Sequence, residues 1–186
     1  MKVFYFIPII ILILSLNLLI FDTGFYQKNV PAYESYKENV QDILSFFLGG
    51  DLSPIYTEQE QIHMHDVRSR IWLSWIIFLV CSTFIGIKLY NIPTKDLKKE
   101  LWKGGLLTIG ILLLTGIASQ YFSQIFLLFH QVIFTNNYWL LPPDALLIQM
   151  FPQEFFLKSM LQILLYSFIF SILIIIVGLT IPEVRK

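Results

Sequence analysis

Three histidines, His63, His65 and His130, are the side chains of this 186-residue sequence best suited to proton transfer near neutral pH. The unperturbed pKa of histidine is about 6.5, so one imidazole can accept a proton while a second donates one. Two histidines in one site would therefore support general acid–base catalysis. The alternative is that they lie near a water interface without a catalytic task.

His63 lies in a segment whose polar side chains recur at helical spacing. Positions three or four apart share a helix face, so Glu60, His63, Asp66 and Arg70 lie on one side, whereas His65 faces elsewhere. Asp66 could accept the ring N–H of His63 and fix its tautomer, or pair with Arg70 instead. We predict that Glu60, Asp66 and Arg70 support the site around His63.

His130 ends a second run of polar side chains. Ser119, Ser123, Phe126 and His130 are separated by four, three and four residues, a spacing that one continuous helix would align. Polar side chains within a membrane segment usually face the interior of a helix bundle. The spacing predicts that His130 reaches the outer interface at a depth similar to that of His63.

A metal site and a covalent nucleophile fit the sequence less well. The run from His63 to Asp66 contains two histidines, but on a helix they cannot converge on one ion. The single cysteine, Cys81, lies in an apolar stretch where a reactive thiolate is disfavoured. We expect no bound metal and no cofactor.

The segment after His130 is rich in polar, aromatic and proline residues. Its aromatic pair, Tyr138-Trp139, is typical of a membrane interface, or it could form a wall around a lipid-like substrate. The two asparagines before the pair would then be possible donors to an oxyanion. Asp144 could cap a short helix that ends at Pro152. The predicted substrate-pocket residues are Asn136, Asn137, Tyr138, Trp139 and Asp144.

The composition places these residues in a membrane protein. Apolar residues make up 56% of the chain and charged residues only 14%, away from the balance of a soluble domain. The 13 basic and 13 acidic residues cancel, so no global field attracts nucleic acid.

Four apolar stretches are long enough to cross a hydrocarbon core about 30 Å thick. They are residues 3–21, 71–90, 105–129 and 155–179. The first resembles a signal peptide, but it is long and no small-residue cleavage site follows, so we expect a retained anchor. The sequence predicts an all-α protein in which residues 1–186 form a single transmembrane domain.

Basic residues in short loops predict the orientation of the chain. With both termini and the 91–104 loop in the cytoplasm, that side has eight basic and three acidic residues, and the other side has five basic and ten acidic residues. The eight basic residues are Lys2, Lys88, Lys95, Lys98, Lys99, Lys103, Arg185 and Lys186, and the three acidic ones are Asp96, Glu100 and Glu183. We expect a multi-pass protein of the plasma membrane whose candidate site faces outward.

The two outer segments, 22–70 and 131–154, are expected to form a small extracellular cap. In the first, apolar residues recur at helical spacing from Tyr33 to Phe47, and the pattern stops at Gly49-Gly50. Further on, Thr57 followed by Glu60 matches a capping box, which predicts that a helix starts there and continues into the second span.

Two stretches in this order resemble one known family. They are Thr57-Glu-Gln-Glu60-Gln-Ile-His63-Met-His-Asp66-Val67-Arg68 and Phe129-His130 with Phe134, Asn136, Trp139, Pro142-Pro143, Asp144, Leu147-Ile148 and Phe151-Pro152. Together they resemble the lipoprotein intramolecular transacylases of Gram-positive bacteria, which are four-helix membrane proteins with an extracellular cap. The likeness covers residues 55–157 in detail.

The resemblance implies a reaction and its substrate. Such enzymes move the sn-2 acyl chain of a diacylglyceryl-cysteine lipoprotein to the α-amino group of that cysteine, which leaves the N-acyl lyso form. The family's two histidines map onto His63 and His130, whereas His65 maps onto neither. The partners implied are the diacylated lipoprotein N-terminus and membrane lipid. The alternatives are another membrane lipid hydrolase or acyltransferase, and a non-enzymatic membrane assembly subunit.

Overall fold

Helices make up nearly the whole of the computed structural model, which describes residues 2–90 and 92–182. In chain order they are α1 (Ile7–Ile20), α2 (Thr23–Asn29), α3 (Tyr33–Phe47), α4 (Glu58–Tyr90), α5 (Thr94–Ala118), α6 (Phe122–Ile133), α7 (Leu146–Met150) and α8 (Gln153–Thr180). Single 3₁₀ turns occupy Val3–Tyr5 and Ser119–Tyr121. No strand occurs in the described ranges, so the all-α prediction is confirmed. Glu183, Arg185 and Lys186, which entered the charge count, lie outside these ranges.

Four helical stretches are long and apolar enough to cross a membrane. They are Val3–Ile20, Glu58–Lys88, Thr94–Ile133 and Gln153–Thr180. Each contains most of one predicted span, and the second and third extend well beyond the predicted bounds. The chain is therefore a multi-pass membrane protein with the predicted number and order of spans.

The described chain forms two compact units. The first unit consists of the residues up to Asn17, Ser74–Ala118 and the residues from Leu161 onward. The second unit consists of Leu18–Leu73 and Ser119–Met160. All residues that the sequence predicts for the site belong to the second unit, and each unit is described by itself below.

Small residues bring three helices of the first unit into close contact. Gly104 and Gly105 are buried in α5, and a Cβ atom at Gly104 would overlap the side chain of Ile7. At Gly105 it would overlap Ile175 and lie 3.0 Å from the carbonyl oxygen of Ser171. Glycine therefore allows α5 to approach α1 and α8 more closely than alanine would, as in other membrane helix pairs.

We expect Gly105→Ala to destabilise the folded protein, although alanine favours helices over glycine. The added methyl group meets both a side chain and a backbone oxygen, and overpacking of this kind costs about 1–3 kcal/mol. Gly110→Ala is the matched control, because nothing lies within 4 Å of a Cβ atom at that position. Thermal unfolding of both purified variants in detergent tests the prediction. Equal melting temperatures for the two variants would contradict it.

Buried hydroxyl and amide groups of the first unit are paired with one another. Ser167 donates to Ser15 over 2.9 Å, and both side chains are fully buried. The Asn17 amide donates to the Ile13 carbonyl at 2.9 Å and to Ser74 Oγ at 3.1 Å. These bonds satisfy polar atoms that would be costly to leave unpaired in an apolar interior.

The second unit begins with an aromatic cluster at α2. The Asp22 carboxylate accepts the backbone N–H of Phe25 at 3.0 Å and so caps this helix. The ring centroid of Phe155 lies 5.5 Å from that of Phe25 and 5.6 Å from that of Tyr26. The Tyr26 ring also lies 6.0 Å from that of Phe151. The cluster thus fixes α2 against the start of α8.

Helix α3 is amphipathic and ends where the sequence predicts. Its buried residues are Val40, Ile43, Leu44, Phe46 and Phe47. Gly49 follows with a φ of 111°, a left-handed conformation that favours glycine, and its N–H donates to the Phe46 carbonyl at 3.0 Å. The predicted helix and its stop signal are both confirmed.

Arg68 of α4 holds the end of α3. Its guanidinium lies 4.1 Å from the ring centroid of Phe46 and donates to the carbonyl oxygen of Gly50 at 3.2 Å. The indole N–H of Trp72, one turn further on, donates to the Phe47 carbonyl at 2.9 Å. Cationic and N–H groups at a helix C-terminus satisfy carbonyls that lack partners inside the helix.

The loop between α3 and α4 is anchored by Tyr56, which is 2% exposed. Burial, and then the nearby carboxylate of Asp42, raises the pKa of Tyr56 to about 12. The phenol therefore stays protonated and donates to the Asn39 carbonyl at 3.4 Å. The Asp42 carboxylate in turn accepts the backbone N–H of Ser53 at 3.1 Å.

The third predicted span is not one continuous helix. The 3₁₀ turn at Ser119–Tyr121 separates α5 from α6, so the helical spacing from Ser119 to His130 is interrupted near its start. Ser123 is exposed rather than turned inward, whereas Ser119, Phe126 and His130 are half-buried. The prediction of an inward-facing polar stripe is therefore wrong for Ser123, which follows the change of helix type.

Candidate active site

The first turn of α4 is built around the predicted capping box. Thr57 accepts the backbone N–H of Glu60 at 3.3 Å, and the Glu60 carboxylate accepts the Thr57 N–H and hydroxyl at 2.9 and 2.8 Å. This is the reciprocal pattern that satisfies free N–H groups at a helix start. The same carboxylate also accepts the backbone N–H of Leu147, in α7, at 2.9 Å. Glu60 is 1% exposed and therefore joins the helix start to the second predicted loop.

His63 lies one turn beyond Glu60 and meets His130. The ring centroids of the two histidines are 6.3 Å apart, with an angle of 33° between the ring planes. Phe134 packs edge-on against His63 at 5.1 Å. The Nδ1 atom of His63 is buried and has no hydrogen-bond partner among residues 2–90 and 92–182. Two histidines that are 67 positions apart in the sequence are thus brought side by side, each from a different helix.

His130 is oriented by its own helix and by aromatic rings. Its Nδ1 atom lies 2.7 Å from the carbonyl oxygen of Phe126. A carbonyl oxygen can only accept a hydrogen bond, so Nδ1 is the donor. In the neutral ring this bond places the proton on Nδ1 and leaves the lone pair on Nε2. The rings of Phe126, Phe129 and Trp139 lie 4.3, 5.3 and 5.0 Å from that of His130. The imidazole is therefore held in a largely apolar surrounding with one nitrogen able to accept a proton.

Asp66 has a different partner from the two that its spacing suggests. Its carboxylate accepts the side-chain amide of Asn136 at 2.8 Å, while the Asn136 oxygen accepts the backbone N–H of Tyr138 at 3.1 Å. Arg70 is exposed. The bond fixes the segment after His130 to α4, and the Asp66 carboxylate also interacts electrostatically with the His63 ring.

The other predicted pocket residues differ in position. Trp139 lies against His130, and the two residues before it on the loop, Asn137 and Tyr138, are exposed. Asp144 is exposed and does not cap α7, whose N-cap is Ala145 without a side-chain bond. The reason is that α7 starts one residue too late for an Asp144 cap, and the Glu60 carboxylate reaches its second residue instead.

Gln59 makes a contact with the loop around Trp139 that the sequence pattern does not predict. Its amide nitrogen lies 3.0 Å from the carbonyl oxygen of Leu140 and 3.3 Å from that of Tyr138. Tyr138 and Leu140 are 79 and 81 positions from Gln59 in the sequence. Helical spacing relates only neighbours on one helix, so no signal in the sequence could have identified this pair.

His65 lies apart from the pair. The exposed His65 ring packs edge-on against Phe46 at 5.0 Å, and its Nδ1 atom is 3.2 Å from an Arg68 nitrogen. Within residues 2–90 and 92–182, no group of three or more histidine, cysteine or acidic side chains could hold a metal ion. The chemistry that the site offers is proton transfer between two adjacent imidazoles beside an aromatic wall.

Comparisons with known proteins relate this arrangement to one family of enzymes. The family model of the lipoprotein intramolecular transacylase Lit matches residues 1–156. An uncharacterised protein of Aquifex aeolicus (strain VF5) is 25% identical over 124 residues, which is 67% of this chain and 56% of that protein. The chain thus matches little more than half the length of this relative.

Solved structures agree with the family match. The in meso structure of the membrane integral lipoprotein intramolecular transacylase Lit from Bacillus cereus superposes with a TM-score of 0.79 at 25% identity, covering 93% of this chain and 89% of that chain. Two structures of variants of that protein, in which one histidine is replaced by arginine or alanine, give TM-scores of 0.68 at 24% identity. They cover 95% of this chain and 87% and 89% of the variant chains. The resemblance found in the sequence is confirmed, and the chain belongs to the lipoprotein intramolecular transacylase family.

Proposed function

We propose that this protein moves the sn-2 acyl chain of a diacylglyceryl-cysteine lipoprotein to the α-amino group of the same cysteine. The observation that carries the proposal is the contact between His63 and His130, with ring centroids 6.3 Å apart. Membership of the transacylase family supports it. Two adjacent imidazoles are well suited to a reaction with one proton removal and one proton return.

The reaction balances without any group beyond the substrate and the protein. The amine nitrogen attacks the ester carbonyl, a C–N bond forms, the C–O bond to the glyceryl oxygen breaks, and the amine proton ends on that oxygen. An α-amino group has a pKa near 8, so it must lose a proton before it attacks. Conversion of an ester to an amide is favourable, so we propose that no cofactor and no metal take part.

The histidine pair would carry both proton transfers. The Nε2 lone pair of His130 would bind a group of the substrate directly, whereas the buried Nδ1 atom of His63 would reach one only after its neighbours move. Amine and ester belong to one molecule, so the enzyme gains rate mainly by holding them in attack geometry. The aromatic side chains around His130 exclude water and favour a lipid ester over a free peptide.

We propose different tasks for the remaining predicted residues. Glu60, Asp66 and Asn136 hold the loop against α4. Trp139 would form the wall for the acyl chain. The exposed side chains Asn137, Tyr138, Asp144 and Arg70 would contact the polar part of the lipoprotein, with Asn137 offering an amide donor to the oxyanion.

We also propose an orientation in the plasma membrane. Both termini would lie in the cytoplasm and the histidine pair would face outward, because the basic residues concentrate in the end segments and the 91–104 loop. Segments 22–70 and 131–154 would then form an extracellular cap over a single transmembrane domain. Lipid ester carbonyls lie at the headgroup boundary, where such a cap meets the membrane.

Expression in a bacterium that lacks lipoprotein N-acylation tests the function. The transfer leaves the mass of the lipopeptide unchanged, so tandem mass spectra of lipoprotein N-termini must locate the acyl chain. We expect fragments that carry an acyl group on the cysteine nitrogen and a lyso-glyceryl thioether. Unchanged diacylglyceryl fragments would contradict the proposal. Lighter peptides with a free amine and one acyl chain would identify a hydrolase instead.

A further inference from the structure

We infer that Gln59 is a positioning residue of the candidate active site, an inference that rests on the proposed function. Its amide nitrogen bridges the carbonyl oxygens of Tyr138 and Leu140, the two residues that flank Trp139. Gln59 thereby restrains the backbone on both sides of this tryptophan. It touches no reacting atom, so its effect is transmitted through the Trp139 ring.

The placement of Trp139 matters because its ring is part of the surrounding of His130. The two ring centroids are 5.0 Å apart, and the ring planes differ by 37°. Two contacts hold this loop to α4. Asn136, three residues before Trp139, binds Asp66, and Leu140, directly after Trp139, binds Gln59. Without the second contact, the peptide groups around Trp139 could rotate while Asn136 stays in place.

Short-range backbone bonds also restrain the segment: the N–H of Leu140 donates to the Asn137 carbonyl at 3.1 Å, and that of Leu141 donates to the Trp139 carbonyl at 3.0 Å. The side chains of Tyr138 and Leu140 are 44% and 56% exposed, and α7 starts only at Leu146. Exposed loops without regular structure are the parts of a fold that open most easily. Gln59 binds two carbonyls of this segment from α4, so it adds a long-range restraint that keeps the aromatic wall beside His130 in one position.

Gln59→Leu tests this role, and Gln61→Leu is a matched control. Gln61 is a glutamine on the same helical turn, and its amide also donates to a backbone carbonyl, that of Tyr56, at 2.8 Å. Both variants exchange an amide for an apolar side chain and remove hydrogen bonds to the backbone. Only the first removes the contacts beside Trp139.

Two quantities are measured, the rate of acyl transfer and the ¹⁹F NMR resonance of Trp139. With 5-fluorotryptophan incorporated, the ¹⁹F resonance of Trp139, assigned by its loss in Trp139→Phe, should shift or broaden in Gln59→Leu and stay unchanged in Gln61→Leu. Loss of two hydrogen bonds is expected to lower kcat for acyl transfer about tenfold with little change in KM. Gln59→Asn keeps the amide, so it should restore part of kcat and part of the wild-type Trp139 resonance.

The outcomes separate this inference from the proposed function. A Trp139 resonance that is unchanged in Gln59→Leu, or activity equal to that of Gln61→Leu, would overturn the positioning role. If the wild-type protein transferred no acyl group, the proposed function would fail. The resonance comparison would then still decide whether Gln59 places Trp139 beside His130.

Discussion

His63→Ala and His130→Ala are each expected to lower acyl transfer at least about 100-fold, because a positioned acid or base typically contributes that much or more. The two rings lie 6.3 Å apart, so removing either one leaves a single imidazole to take the amine proton and to return a proton to the glyceryl oxygen. Initial rates on a purified diacylated lipopeptide, with the amounts of folded protein matched, measure the loss.

His65→Ala is the control for the histidine variants. It lies on the same helix as His63, but its exposed ring contacts Phe46 and Arg68 rather than His130. We expect near wild-type rates for this variant. Comparable losses for His65→Ala and His63→Ala would show that substitutions on this helix act through stability, and would contradict the assignment of the pair.

Glu60→Ala is expected to have the largest effect on stability. The carboxylate accepts three hydrogen bonds, two from Thr57 and one from the backbone N–H of Leu147, and the side chain is 1% exposed. Its removal leaves the N–H of the buried Leu147 without its partner and also removes both Thr57 bonds, and bonds to charged groups contribute about 1.5–3 kcal/mol each. We expect the free energy of unfolding to fall by roughly 3 kcal/mol or more, with loss of activity as α7 detaches from α4.

Glu58→Ala provides the comparison for Glu60→Ala. Both are acidic residues in the first turn of α4, but Glu58 is exposed. Loss of its favourable interaction with the helix dipole costs less than about 1 kcal/mol. Unfolding of the two variants in mixed detergent micelles, followed by tryptophan fluorescence, measures the difference. Similar unfolding curves would mean that the Glu60 contacts do not stabilise the fold.

The helices themselves could be predicted because their signals are local. Long apolar stretches indicate spans, and the spacing from Tyr33 to Phe47 with Gly49 after it specifies α3. The capping box at Thr57 and Glu60 locates the start of α4 within one residue. Each of these features depends on residues a few positions apart.

The contacts that complete the site could not be predicted, because they join distant parts of the chain. Glu60 reaches Leu147, and Asp66 reaches Asn136 rather than a neighbour on its own helix. A carboxylate pairs with whichever donor the fold brings nearest, and helical spacing offers only the donors of one helix. The pairing of His63 with His130 was expected from the family resemblance, and the geometry agrees with it.

The break at Ser119–Tyr121 shows a second limit of pattern analysis. Thr115 and Ser119 lie in an apolar, helix-like pattern, and neither glycine nor proline marks the 3₁₀ turn. The direction of Ser123, just beyond the turn, was therefore predicted wrongly. His130 still meets His63, because α6 alone sets the direction of its ring, through the bond from Nδ1 to the Phe126 carbonyl.

A crossover experiment tests most directly the central claim that the amine and the ester of one bound lipopeptide react with each other. Two diacylated lipopeptides are mixed in vesicles with the purified protein, one with a deuterated sn-2 chain and the other with an isotopically heavy peptide. We predict that tandem mass spectra will show the deuterated chain only on the amine of its own peptide. Deuterated acyl groups on the heavy peptide, or release of deuterated fatty acid, would contradict the account.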